Sequence, residues 1–426
     1  MGVVSCGTTM LDQGVFENIG AVTWDTTAKT SGFTGVSGNG YFVNTTGGSI
    51  TVTLPASPSA GDIVGIKDYA NTADTNKIVI GRNGSNIQGI AANFDIVTEG
   101  GSVLLVYVDG TQGWKVTSSS QASNIRGPFV CATGGTITTC GDYRIHTFTG
   151  PGTFTVNSAG GPAGSTQVDY LTVAGGGGGG SRHSGGGGAG GYRESGGTAS
   201  GCYSVSPLGS GVSAFSVSAT AYPITVGAGG AGGPGSGGPG TNGANAGSPG
   251  SSSSALPITS AGGGGGGRGD TGPGLPGGSG GGAAGRFPGT AGSGNTPPVS
   301  PPQGNNGGAS VGTPPHAGGG GGGATSVGGV SPGGNGGNGA TSSINASPVT
   351  RAGGGGGGGS PALPTGAGSG GPGGGGGGST TTAPGTPGTI NTGGGGGGGS
   401  YVPPAPGNYI GGNGGSGIVI IRYKFQ

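Results

Sequence analysis

Charge is nearly absent from this chain: Asp, Glu, Lys and Arg together make up 6% of its 426 residues, and the formal net charge is +1. Nucleic-acid binding draws its affinity from a basic stripe, so that class of partner is not expected. Ordinary disorder goes with high net charge, which is missing too. Aromatic residues amount to 5%, and the four cysteines, Cys6, Cys131, Cys140 and Cys202, are too few and too scattered for a disulfide framework. Cys131 and Cys140 could close a hairpin loop, but free thiols are the expectation. No apolar run is long enough to cross a bilayer, so no membrane insertion is expected. Residues 1–14 lack the basic and apolar regions of a secretory signal, and none is expected.

Acids are scarcest in the second half, where only Glu194 and Asp270 follow Asp169. Cleavage of a sugar chain needs two carboxyl groups converging on one bond, so this half is not read as a hydrolase. The remaining acids, among them Asp62, Asp68, Asp74, Asp95, Glu99 and Asp109, sit near strand ends where turn residues belong. His146, His183 and His316 are far apart in sequence, without ligand spacing for a metal. No Gly-Lys-Ser or Gly-Lys-Thr follows any glycine run, which removes the phosphate-loop reading. No catalytic, cofactor or metal residues are assigned, and an enzyme is not expected. Arg268-Gly269-Asp270 spells an adhesion tripeptide that so glycine-rich a chain produces by chance.

What the chain has is glycine, 124 residues of it, with uninterrupted runs at 175–180, 262–267, 318–323, 353–359, 373–378 and 393–399. Glycine loses the most backbone entropy on ordering, about 1 to 2 kcal/mol for each residue fixed, so the runs are either flexible linker or packed against one another. Near-constant run length favours packing. So do the alanines placed directly before four runs, Ala174, Ala261, Ala317 and Ala352. The segments between runs hold the prolines and most of the apolar residues, as turns between rigid rods would. A physical form exists: the left-handed helix of three residues per turn, rising about 3.1 Å per residue with no internal hydrogen bonds. Without Cβ atoms, such rods approach until each N–H meets a carbonyl on a neighbour.

Residues 1–120 have a different texture, short Val, Ile, Thr and aromatic runs bounded by Gly, Asn, Asp and Pro, which predicts an all-β domain. Strands are expected at 21–25, 41–45, 49–54, 62–68, 77–81, 94–97, 102–108 and 114–117. Hairpin turns are expected at Gly47-Gly48 and Asp109-Gly110. Ile50, Val52 and Leu54 alternate with Ser49, Thr51 and Thr53, so one face of that strand is expected to be buried. Residues 121–173 read as a β junction. Within it 143–149 and 153–156 flank Gly150-Pro151-Gly152 as a hairpin, and 168–173 lead into the first run. Strand 222–226 lies within the glycine-rich part. The C-terminal strand 417–425 places Val419, Ile421, Tyr423 and Phe425 on one face and closes the glycine-rich domain, 174–426. The whole is expected to be an N-terminal β-domain, then a small β-sandwich base carrying a bundle of polyglycine II-type helices. Tyr192, Tyr203, Phe287, Tyr401 and Tyr409 could either seal the edge of the bundle or form a binding surface.

Taken in order, Val168-Asp169-Tyr170-Leu171-Thr172-Val173-Ala174 with its glycines, Tyr222-Pro223-Ile224-Thr225-Val226-Gly227, the alanine-prefixed runs and Gly417-Ile418-Val419-Ile420-Ile421-Arg422-Tyr423 resemble the glycine-rich domain of bacteriophage tail-fibre and virion-surface proteins. The likeness covers roughly residues 140–426. The part before it, with Thr51-Val52-Thr53-Leu54-Pro55 and Leu104-Leu105-Val106-Tyr107-Val108, is similar to β-domains of tailed-phage fibres. The segments 204–221 and 296–303 lie outside these motifs. The resemblance implies a protein of the virion surface, assembled in the host cytoplasm, a homotrimer that touches other virion proteins of tail or head. It implies a host receptor, a polysaccharide or outer-membrane component, bound by loops whose residues the resemblance does not name. A non-receptor-binding structural virion protein, such as a capsid-decorating fibre, is the alternative it leaves open.

Overall fold

The computed structural model describes residues 22–425 apart from 121–124, 127–128, 162–163, 198–199, 236–244, 270–271, 313, 315, 361–365 and 402–409; before residue 22 it describes only two short two-stranded ladders. Among the described residues the chain is all β, with no helix. It divides into two compact units, residues 1–131 with 157–166 and 424–426, and residues 132–156 with 167–423.

In the first unit two five-stranded sheets enclose one core. Thr23–Lys29, Asn39–Val43 and Ile63–Asp68 pair in parallel in one sheet, and Phe33–Thr34, Ile50–Thr53 and Ile78–Gly81 do so in the other. The chain therefore winds back and forth between the sheets as a coil, and Gly47-Gly48 is a crossover between sheets rather than the expected hairpin. The expectation failed because glycine pairs mark a turn without saying whether the chain returns to the same sheet. Asp109-Gly110 does join an antiparallel pair, Ser102–Asp109 with Gly113–Ser119. Ile50, Val52 and Leu54 face the core beside Leu105 and Trp114, while Thr51 is exposed.

The second unit rests on a six-stranded sheet in which Ile418–Lys424 lies between Tyr143–Phe148 and Gln167–Val173. Central position buries both faces of this C-terminal strand: Ile418, Ile420 and Arg422 are covered as well as Val419, Ile421 and Tyr423. The expected hairpin of 143–149 and 153–156 does not form. Tyr143–Phe148 pairs with Thr136–Cys140, whereas Gly152–Ala159 pairs with Ala221–Ile224 in a separate sheet. The two sheets meet through Phe154, whose ring packs 5.1 Å from His146 and 6.3 Å from Tyr423. The cysteine expectation also fails: Cys140 is bonded to Cys202, and Cys131 is free and exposed. The end of the Thr136–Cys140 strand is brought beside a loop 62 residues on, a proximity that sequence spacing does not reveal.

Above this base, the glycine runs are held chiefly by backbone hydrogen bonds, with a few side chains such as Ser184 and Asn305 bonding at run ends. Gly176 and Gly179 donate to Gly415 and Gly412, Gly177 and Gly180 to Gly188 and Gly185, and Gly175 and Gly178 to Ser251 and Ser248, at 2.8 to 3.0 Å. Residues three apart thus share one neighbour, the periodicity that a rod of three residues per turn requires. A Cβ on Gly177 would meet the carbonyl oxygen of Gly264 at 2.2 Å, and one on Gly187 would meet that of Gly177 at 2.1 Å, so no side chain fits.

More segments join this lattice than the six runs. Residues 185–191, 227–233, 245–251, 279–284, 334–339, 385–389 and 411–417 donate and accept in the same three-residue pattern. Two of these, 245–251 and 385–389, carry proline at Pro249 and Pro387, which in the sequence reads as a turn. The lattice explains them. A peripheral rod turns one residue in three to solvent, and that position tolerates a side chain or a missing N–H. Pro273 and Pro276, Pro384 and Pro387, and Ala228 and Ala231 are spaced by three and exposed. Gly385 and Gly388, between the last prolines and after them, are buried and donate to Ile410 and Asn413. Proline's fixed φ suits such a rod, and its lost donor faces water.

Candidate functional site

The register of the rods sorts the connecting turns onto two ends. The first run leaves the Gln167–Val173 strand, turns at 181–184 and returns along 185–191 to Tyr192–Glu194. Turns at the near end pack on the base. Ser253 and Ser260 donate their hydroxyls to the Val173 and Thr172 carbonyls at 2.9 and 2.8 Å, and the Tyr192 N–H donates to the Gln303 carbonyl at 2.8 Å.

That near end contains a buried polar cluster. The Glu194 carboxylate accepts the Tyr192 hydroxyl at 2.9 Å, the Tyr203 hydroxyl at 3.0 Å, the Ser206 N–H at 3.1 Å and the Ser342 hydroxyl. Burial, then the Glu194 charge, pushes both tyrosine pKa values up. Burial likewise holds the Arg351 and Arg422 guanidinium groups below their ordinary value. Arg422 stacks 3.6 Å from the Tyr143 ring centroid and donates to the Ser200 carbonyl at 2.7 Å. The adjoining cavity, lined by Tyr170, Glu194, Leu208 and Pro301 among others, is about 10 Å³, space for no more than one water. The donors to Glu194 come from Tyr192, Tyr203, Ser206 and Ser342, so the cluster ties these segments together at the base on which the rods stand.

The far end gathers a different set. Arg182 and His183 form the turn after the first run, with left-handed φ of 64° and 44°. Non-glycine residues adopt that region rarely, and here the fixed rods on either side impose it. Around this turn the other tips assemble. Gly285 donates to the His183 carbonyl at 2.7 Å, Gly358 to that of Ser184 at 2.9 Å, Gly399 to that of Gly180 at 3.0 Å and Gly269 to that of Ser181 at 3.0 Å. The Arg182 guanidinium lies 4.8 Å from the Tyr401 ring centroid, and the His183 ring lies 4.9 Å from Tyr401 and 6.2 Å from His316. Beside them Arg286 sits 5.6 Å from the Phe287 ring, which is 47% exposed. Arg268 is exposed at the same end. His183 is buried among these groups, so the exposed part of the far end is Arg268, Arg286 and Phe287 beside the half-buried Arg182 and Tyr401, cationic and aromatic groups able to stack on flat ligand faces and to donate charged hydrogen bonds.

The five aromatics singled out in the sequence separate by end. Tyr192 and Tyr203 are buried at the base, whereas Phe287 and Tyr401 stand at the tips; Tyr409 lies outside the described residues. Asp270 of the adhesion tripeptide also lies outside them. Arg182, His183, Arg286 and His316 were not singled out as tip residues. For all but Arg286 the signal was adjacency to runs: Arg182 and His183 follow the first and His316 precedes the third, as Arg268 directly follows the second; Arg286 follows only the broken stretch 280–285. Among the described residues no group of three or more His, Cys, Asp or Glu could hold a metal ion.

A protein-family model described as a glycine-rich domain matches residues 147–424, more than half of the chain. No curated protein matches it.

Proposed function

The chain belongs to the family defined by that glycine-rich domain, and from this premise we propose that it is a subunit of a phage tail fibre or adhesin whose far-end turns attach the particle to its host cell. The observation that carries this reading is the convergence of Arg182, His183, Arg286, Phe287 and Tyr401 at one end of a lattice joined chiefly by backbone hydrogen bonds. Such a scaffold leaves the far-end turns freer to vary than the near-end turns that pack on the base, which suits a surface that must match a partner. The partner it fits is a polysaccharide or an outer-membrane component, gripped by ring stacking and guanidinium donors. The N-terminal β unit would join other virion proteins and assemble the chain as a homotrimer on the virion surface.

Purified protein should block adsorption of the particle that carries it. Replacing Arg182, Phe287 and Tyr401 together by Ala should weaken that block at least tenfold while the thermal midpoint stays within a few degrees. If particles lacking the protein adsorb normally but lose physical stability, the reading fails. A capsid-decorating fibre without a receptor then replaces it.

A further inference from the structure

Among run glycines whose surroundings are described, only Gly377 is not required by the chain's own packing. A Cβ there would find no atom closer than 3.9 Å, whereas its run neighbours Gly376 and Gly378 would clash with backbone at 1.9 and 2.1 Å. No positive φ calls for glycine at this position. Elsewhere the outward line of a peripheral rod carries proline or a side chain, as at Pro273 and Pro276, but here it is bare.

Gly377 lies beside a second thin rod, 366–371, joined to its own run by Gly378 donating to Gly368 at 2.9 Å and Gly375 donating to Gly371 at 3.1 Å. Along this edge the N–H groups of Gly370 and Gly377 and the carbonyls of Gly370 and Gly378 have no partner among the described residues, and all three residues are half-buried. An unpaired row of donors and acceptors is a template for another backbone, the rod counterpart of an open sheet edge. At its foot, Thr389 donates to the Gly374 carbonyl at 2.8 Å and is followed by Ile390, a large apolar side chain 70% exposed.

We propose that this edge is a self-association surface on which the lattice continues into a second copy of the chain. The 374–378 rod of each copy lies against the bare edge of the other. Two-fold symmetry makes such a contact self-complementary, since each rod both fills a furrow and presents one. Complementarity of donors and acceptors selects a glycine rod as the occupant, because any Cβ would hold the two backbones apart. Ile390 and its counterpart would close the foot of the contact with apolar surface. The partner is thereby a copy of this chain and not a side-chain-rich protein.

Sedimentation velocity on the full-length protein over rising concentration tests this. The expected result is reversible self-association that Gly377→Leu weakens at least tenfold with an unchanged thermal midpoint, since the chain itself leaves room for the side chain. Gly377→Pro provides a second variant, removing only an N–H that the chain does not use, and should weaken association likewise. The N-terminal trimer proposed above does not use this edge and persists in both variants, so the reading is the concentration-dependent step beyond it: absence of that step in the unaltered protein, or a step that survives both substitutions, overturns the proposal.

Discussion

At the scale of single residues, glycine is enforced by contact rather than by flexibility. Gly187 has a carbonyl oxygen 2.1 Å from where its Cβ would stand, so Gly187→Ala should destabilise the second unit by about 3 kcal/mol or more in chemical denaturation. Thr386→Ala, at an exposed position that bonds its neighbours through backbone, should change stability by less than about 0.5 kcal/mol. His146 offers a second test. It is fully buried, with Nδ1 2.7 Å from the Gly134 carbonyl and Nε2 3.0 Å from the Tyr423 hydroxyl. A carbonyl only accepts, so Nδ1 carries the proton, and Nε2 accepts from Tyr423. Burial lowers the His146 pKa beneath its unfolded value of 6.5, which means the unfolded chain binds the extra proton first. The stability it contributes is complete above pH 6.5 and is lost as pH falls through the lowered folded pKa. Urea titrations from about pH 7 to 5 should show that loss, and His146→Gln should flatten it.

At the scale of elements, the disulfide and the prolines carry the argument. Cys140–Cys202 closes a loop of 62 residues, for which chain entropy predicts about 4 kcal/mol of stabilisation. Cys140→Ser should therefore lower the unfolding free energy of the second unit by an amount of that order, and added thiol reductant should do the same to the unaltered protein. No fall in either experiment would remove the cross-link from the account. Legibility in the sequence divides along similar lines. Strand positions such as 50–54 and 102–108 could be read because alternation and β-branched residues report local burial. The partners of those strands could not, since Gly47-Gly48 and Gly150-Pro151-Gly152 mark turns without saying where the chain goes next. The rods within 227–251 and 385–389 were hidden because proline ordinarily signals a break. In this lattice it occupies the one line in three that has no partner to lose.

At the scale of the whole molecule, the tip surface was the least legible part. Its members are scattered from residue 182 to residue 401, and only the register of the rods brings Arg182, His316 and Tyr401 to one end. The proposed attachment function depends on that register, and the register depends on glycine amides being hydrogen-bonded between segments. Amide hydrogen exchange, read peptide by peptide on the native protein, tests this most directly. Peptides spanning 175–191 and 318–323 should be protected nearly as well as the Gln167–Val173 and Ile418–Lys424 strands, while the outward Ala228 and Ala231 amides exchange fast. Exchange of the runs at the rate of an unstructured glycine linker would contradict the account.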